Sequence, residues 1–225
     1  ADVYLKVDGK FIAKGTIDDP IEMFTGKDYE DSGIIIEANA ELCYCNIMNP
    51  YRHQTNQYEH VFDVDTIDHC NFTQATAKGL YSYDTYDWIY FGHINANEIT
   101  NTIFTHLYTE NDCWWFSSAI NASNIENCIF NNCNVTVKAD KITNSVILLN
   151  DSSVPNTSYH NFVASNTSFK NTAILNNLND YSTKSWVSIY ASEGHEKYDF
   201  SSNYWGTTNA SLVKKQVKDA DSNVS

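Results

Sequence analysis

Aromatic side chains crowd one stretch of this chain: Tyr81, Tyr83, Tyr86, Trp88, Tyr90 and Phe91, with Trp114, Trp115 and Phe116 further on. Exposed rings of this kind stack on the apolar C–H faces of sugars, while carboxylates, carboxamides and phenols reach the sugar hydroxyls. Tyr83, Tyr86, Trp88, Trp114 and Trp115 are the stacking candidates for such a ligand, with Asp84 and Asp87 as its polar contacts. The same aromatics also suit a satellite core, in which a long loop folds back and buries its own rings.

Carboxylates fall in two tight groups, Asp63, Asp65 and Asp68, and Asp84 with Asp87. Converging oxygens would suit Ca²⁺, but solvated turn residues explain them more simply, so no metal or other cofactor is expected. His69 and His93 lie near the same groups in sequence and read as corner or surface residues. Catalysis has less to build on. A polysaccharide lyase needs a base beside a carboxylate-neutralising cation, and a hydrolase needs two acids flanking the scissile bond. The single arginine, Arg52, sits in Pro50-Tyr51-Arg52-His53 without a carboxylate cluster beside it in sequence.

The elements that would position these groups show in a six-residue phrase: apolar, any, usually Asn, small, any, apolar. It reads Ile99 to Phe104, Ile125 to Phe130, Ile142 to Ile147 and Phe169 to Ile174, and more loosely Leu42 to Ile47 and Ile67 to Phe72. Its small residues are Cys45, Cys70, Thr102, Cys128, Ser145 and Thr172, at intervals of 25, 32, 26, 17 and 27 residues. Repetition at such periods decides architecture.

Helical spacing of apolar residues is missing from these units. The small residue and the last apolar residue are two apart, as on one strand face, whereas the first apolar residue lies three before the small one. The backbone must bend between them, and Asn tolerates the left-handed conformation that such a bend needs. Two short strands meeting at a corner, repeated and stacked, predict an all-β parallel β-helix. Like residues then form columns along its axis: a small one through Cys45, Cys70, Thr102, Cys128, Ser145 and Thr172, and a large one through Ile47, Phe72, Phe104, Phe130, Ile147 and Ile174. Cys45, Cys70 and Cys128 then pack as small hydrophobes, while Cys43, Cys113 and Cys133 stand outside the column and are open to pairing.

With these phrases, the chain resembles the right-handed parallel β-helix repeat proteins, the pectate-lyase-like class that includes many microbial surface and adhesin-like proteins. Lys6 to Thr16 followed by Asp19-Pro20-Ile21 is similar to that family's first coil, and Asn203-Tyr204-Trp205-Gly206-Thr207 to its last-coil phrase. The resemblance implies a solenoid with a short C-terminal capping helix, and it leaves activity open because one fold hosts many functions. The Asn-x-Asp, Asp-Asp, Gly-His-Gly and Arg-x-Lys set of the family's galacturonases is not assembled: Gly92-His93 lacks the second Gly and no Arg-x-Lys occurs. Catalysis is therefore disfavoured.

Leu212, Val213 and Val217, with Lys214, Lys215 and Lys218 late in the run, predict the capping helix. The expected organisation is a β-helix over 1–209 and a cap and tail over 210–225. Because the chain opens inside a strand-like run, Val3 to Val7, it reads as part of a longer polypeptide.

With 225 residues, 42% of them hydrophobic, one domain can bury a substantial core. Lys and Arg total 14 against 28 Asp and Glu, a net charge of −14, which repels phosphate backbones and anionic lipid. Nucleic acid is excluded as a partner on that ground, and no apolar run reaches membrane-spanning length. The Asn-, Ser-, Thr- and Tyr-rich composition favours a secreted chain, and together with the family resemblance it implies an extracellular, cell-surface module, adhesin-like, binding glycan or serving as a stalk. A carbohydrate-active enzyme and a purely structural spacer are the alternatives.

Overall fold

The computed structural model describes residues 3–5, 7, 9–24, 32–34, 36–37, 39–48, 51–53, 60–73, 89–91, 93–105, 107, 120–133, 135–149, 161–176, 186–190 and 199–216. The protein is all-β, with two large parallel sheets and one short C-terminal helix, Ala210–Gln216. One sheet has seven strands, ordered in space as in sequence: Ile21–Phe24, Cys45–Met48, Asn71–Thr73, Ile103–Thr105, Ile129–Asn131, Val146–Leu149 and Ala173–Asn176. The other has ten. Phe11–Lys14, Ala40–Cys43, His60–Asp68, His93–Thr100, Ile120–Glu126, Val135–Thr143, Asn161–Ser165 and Trp186–Tyr190 follow one another, Ile36–Glu37 lies beside His60–Asp68, and Ser168–Lys170 lies beside Val135–Thr143. The chain alternates between the two sheets.

Both apolar columns of the six-residue phrase are in register. Leu42, Ile67, Ile99, Ile125, Ile142 and Phe169 pair in succession, as do Ile47, Phe72, Phe104, Phe130, Ile147 and Ile174. All of these residues, and the six small ones, are buried. The phenylalanines continue as a chain of ring contacts through Phe62, Phe72, Phe104, Phe130, Phe162, Phe169 and Phe200, with centroids 5.0 to 6.5 Å apart. Offset and edge-to-face pairs at these separations add to simple area burial.

Every corner of the phrase takes the left-handed conformation: Tyr44, His69, Asn101, Asn127, Asn144 and Asn171 have φ between 50° and 54°. The Tyr44 and His69 corners, which depart from Asn, stack their rings with centroids 4.6 Å apart, and that contact offsets the strain of a left-handed residue carrying a Cβ. In the first repeat Gly15 stands at the equivalent position without a left-handed φ. Its N–H donates to Cys43 O, and a Cβ there would stand 2.6 Å from Tyr44 O.

The small column is chosen for more than size. Its side chains all donate to the carbonyl two residues back, across the corner: Cys45 to Cys43 O at 3.5 Å, Cys70 to Asp68 O at 3.2 Å, Thr102 to Thr100 O at 2.8 Å, Cys128 to Glu126 O at 3.2 Å, Ser145 to Thr143 O at 2.8 Å and Thr172 to Lys170 O at 3.2 Å. Those carbonyls also accept a corner N–H of the preceding repeat, so both lone pairs are used. Cys, Ser and Thr interchange here because each supplies an X–H of the right length. Cys45, Cys70 and Cys128 are buried in the core, as expected of small hydrophobes, and donate these hydrogen bonds as well.

A second bend lies within the long strands. Between inward Val64 and Ile67 two residues face outward, Asp65 and Thr66, and the pattern recurs between Ala96 and Ile99, Ala122 and Ile125, and Ala139 and Ile142. This bend uses ordinary backbone except at Asn166, which has φ 52°. Thr167 beside it accepts the Ala139 N–H at 3.1 Å.

At the C-terminal end, Asn203 takes the place of a further repeat. Its Oδ1 accepts the Thr172 N–H at 2.9 Å, and its Nδ2 donates to Phe169 O and Phe200 O, each at 2.9 Å. Tyr204 forms a parallel bridge to Ala173, and Phe200 and Trp205 pack on the core. Asn209 caps the helix, its Oδ1 accepting the Ser211 N–H at 3.0 Å. Among the described residues, no helix is long and apolar enough to cross a membrane.

Candidate ligand-binding site

Two of the intervals between repeats carry the aromatic candidates. Tyr83, Asp84, Tyr86, Asp87, Trp88, Trp114 and Trp115 lie outside the described residues, as does Cys113. The backbone at the end of the first interval is described. Ile89–Phe91 pairs antiparallel with Tyr51–His53, placing Ile89 opposite His53, Tyr90 opposite Arg52 and Phe91 opposite Tyr51. It is the one antiparallel pair among the described strands. Arg52 and His53 thereby come beside the strand that directly follows Trp88. Sequence reasoning set Arg52 aside because its neighbours in sequence carry no carboxylates, whereas its neighbours in space come from residues 89–91. The strand-compatible Tyr-Arg-His run was the available signal.

The next strand begins at His93, opposite His60 in register, with an irregularity before Ile94. On the outer face of the same sheet, Asp63 is exposed, Asp65 half-buried and Asp68 half-buried. The Asp68 carboxylate is a hub for the corner beside it: Oδ1 accepts from the Thr100 hydroxyl at 2.6 Å and Asn101 Nδ2 at 2.9 Å, and Oδ2 lies 2.8 Å from His69 Nδ1 and 3.8 Å from Cys43 Sγ. Burial pushes the Asp68 carboxyl up, and the Thr100, Asn101 and His69 donors outweigh it, so the group sits below its ordinary value. Asp65 Oδ1 accepts from Asn97 Nδ2 at 3.4 Å. Among the described residues no three His, Cys, Asp or Glu side chains are grouped to hold a metal ion.

Outward carboxamides form rows that run from repeat to repeat. Asn46 Nδ2 donates to Glu22 Oε1 and Asn71 Nδ2 to Asn46 Oδ1, each at 2.7 Å. On the other sheet, Asn121 Nδ2 donates to Asn95 Oδ1 at 2.8 Å and Asn124 Nδ2 to Glu98 Oε1 at 2.6 Å. At the corners, Asn127 donates to Asn101 Oδ1 and Asn171 to Asn144 Oδ1, each at 3.3 Å. In-register strands bring like amides to about 4.8 Å, and each carboxamide then donates to one neighbour and accepts from the other. These rows present polar, oriented and largely uncharged surfaces.

Two of the thiols, Cys128 and Cys43, are held neutral. Burial pushes the Cys128 thiol up to about 12, and burial followed by the Asp68 charge raises that of Cys43. A thiol kept neutral is a poor nucleophile. Cys133, at a separate corner, donates to Phe104 O at 3.3 Å and Asn131 O at 3.6 Å.

Compared with family models, with curated proteins and with solved structures, the chain matches none.

Proposed function

We propose that the chain is a right-handed parallel β-helix module of the pectate-lyase-like kind, serving as an adhesin-like segment of an extracellular surface protein with glycan as its ligand class. The in-register columns, the left-handed corner in each phrase and the alternation between two parallel sheets support the solenoid. Right-handedness follows from the strong preference of parallel crossovers for that hand.

The observation that carries the ligand reading is the set of outward carboxamide and carboxylate rows, Glu22, Asn46 and Asn71 on one sheet and Asn95, Asn121, Glu98 and Asn124 on the other. Repeated donors and acceptors at strand spacing match a polyhydroxylated chain with repeating hydroxyls. Interior side chains are committed to packing and corner hydrogen bonds, so recognition falls to these rows and to the intervals with Tyr83, Asp84, Tyr86, Asp87, Trp88, Trp114 and Trp115. A second reading, a stalk that holds another domain away from the cell, is favoured by the same continuous stack.

A glycan array probed with the wild-type chain and with a Trp88→Ala, Trp115→Ala double variant tests the proposal. A specific signal that the variant loses supports glycan binding by these aromatics. A silent wild type favours the stalk. Unsaturated or reducing ends released from acidic polysaccharides would instead establish an enzyme.

A further inference from the structure

Of the six residues in the small column, only Cys45 and Cys70 are thiols in consecutive repeats. Their strands pair in parallel, with Asn46 opposite Asn71 and Ile47 opposite Phe72, so the two cysteines are register neighbours. Both side chains point into the core and are fully buried. In-register parallel strands hold opposing Cα atoms at about 4.8 Å, within the span that a disulfide bridges.

Geometry excludes the other described cysteines. Cys128 has Thr102 and Ser145 as its column neighbours, as the register of Ile103, Ile129 and Val146 requires. Cys43 lies on the other sheet, across the Tyr44 corner from Cys45, with Lys14 and Asp68 in register beside it. Cys133 donates to Phe104 O and Asn131 O at its own corner.

We infer that Cys45 and Cys70 form a specific disulfide between consecutive repeats when the chain folds in the presence of a low-molecular-weight disulfide. One cysteine thiolate attacks the small disulfide, forms a mixed disulfide and releases one small thiol. The second cysteine thiolate then attacks the protein sulfur and releases the other small thiol. Two protein thiols are oxidised, one small disulfide is reduced to two thiols, and the two protons lost by the cysteines are taken up through solvent by the departing small thiolates. The exchange takes place before the column closes, because the native thiols are shielded. The link closes the loop from 45 to 70 and removes freedom from the unfolded chain.

The test refolds the full chain in a reduced and oxidised glutathione buffer, alkylates free thiols under denaturing, non-reducing conditions, and maps peptides by mass spectrometry. The inference predicts a Cys45 to Cys70 linkage, alkylation of Cys43, Cys113, Cys128 and Cys133, and a Tm that falls by several degrees on reduction. Recovery of Cys45 and Cys70 as alkylated thiols, or joined to other cysteines, overturns it. The Cys70→Ser variant keeps a donor for Asp68 O and should leave Cys45 alkylated. A Cys45 linkage to any other cysteine in that variant would equally overturn the inference, and Cys45→Ser provides the reciprocal control.

Discussion

The Asn203 carboxamide stands to Thr172 as the Thr102 hydroxyl stands to Cys70: each oxygen accepts the backbone N–H of the small residue in the preceding repeat, at 2.9 and 3.3 Å. A side-chain amide thus ends the column that hydroxyls and thiols propagate, and its Nδ2 satisfies Phe169 O as well. Asn203→Ala leaves buried backbone groups without partners, which costs about 1–3 kcal/mol. A denaturant melt should show a lower midpoint at unchanged slope. An unchanged midpoint would show that Asn203 is not the terminating group.

Thr102 should tolerate Ser and resist Val. Its hydroxyl donates to Thr100 O at 2.8 Å and accepts from Cys70 N, and Val keeps the shape while removing both bonds. Thr102→Val should therefore lose roughly 1–3 kcal/mol, whereas Thr102→Ser retains the bonds and loses less. Equal stability of the two variants in urea titrations would return the column to simple size selection.

The corners make a backbone prediction. Asn127 has φ 54°, a conformation open to Gly and strained for β-branched residues. Asn127→Gly should stay within about 1 kcal/mol of wild type, while Asn127→Val should lose about 1–3 kcal/mol. Thermal melts of both variants provide the comparison, and a Val variant as stable as the Gly variant contradicts the corner assignment.

Much of this was legible in sequence because the six-residue phrase couples two signals, side-chain alternation and a residue able to turn left-handed. Tyr44 and His69 carry the same corner without Asn, and there the surrounding columns identified it. The second bend, at Asp65, Asn97, Ser123 and Asp140, left no such mark, since apart from Asn166 it needs no left-handed residue and shows only as two outward residues in a row. The donor role of the small column was hidden by reading Cys as apolar, although its alternation with Ser and Thr in one column was the clue. The aromatic intervals obey no repeat, so periodicity says nothing of where Trp88 or Trp115 points. Likewise the pairing of Tyr51–His53 with Ile89–Phe91 joins segments that no local pattern relates.

Asp68 predicts the acid limb of stability. Its carboxyl is held below its ordinary value by Thr100, Asn101 and His69 against the opposing effect of burial, so its contribution is fully present above the unfolded pKa of about 3.9. That contribution is lost as pH falls through the lower, folded value. Tm of wild type should drop more steeply than that of Asp68→Asn once pH falls below about 4. Parallel curves for the two proteins would remove Asp68 as a determinant.

The central claim is that successive repeats pair in register, so that Glu22, Asn46, Asn71, Ile103, Ile129, Val146 and Ala173 form one outward row. Pulsed electron spin resonance between genetically encoded spin labels at Glu22 and Ala173 measures that row directly. Six strand steps predict a narrow distribution centred near roughly 29 Å, widened only by the label linkers. A broad distribution, or one centred well beyond 40 Å, would contradict the stacked register.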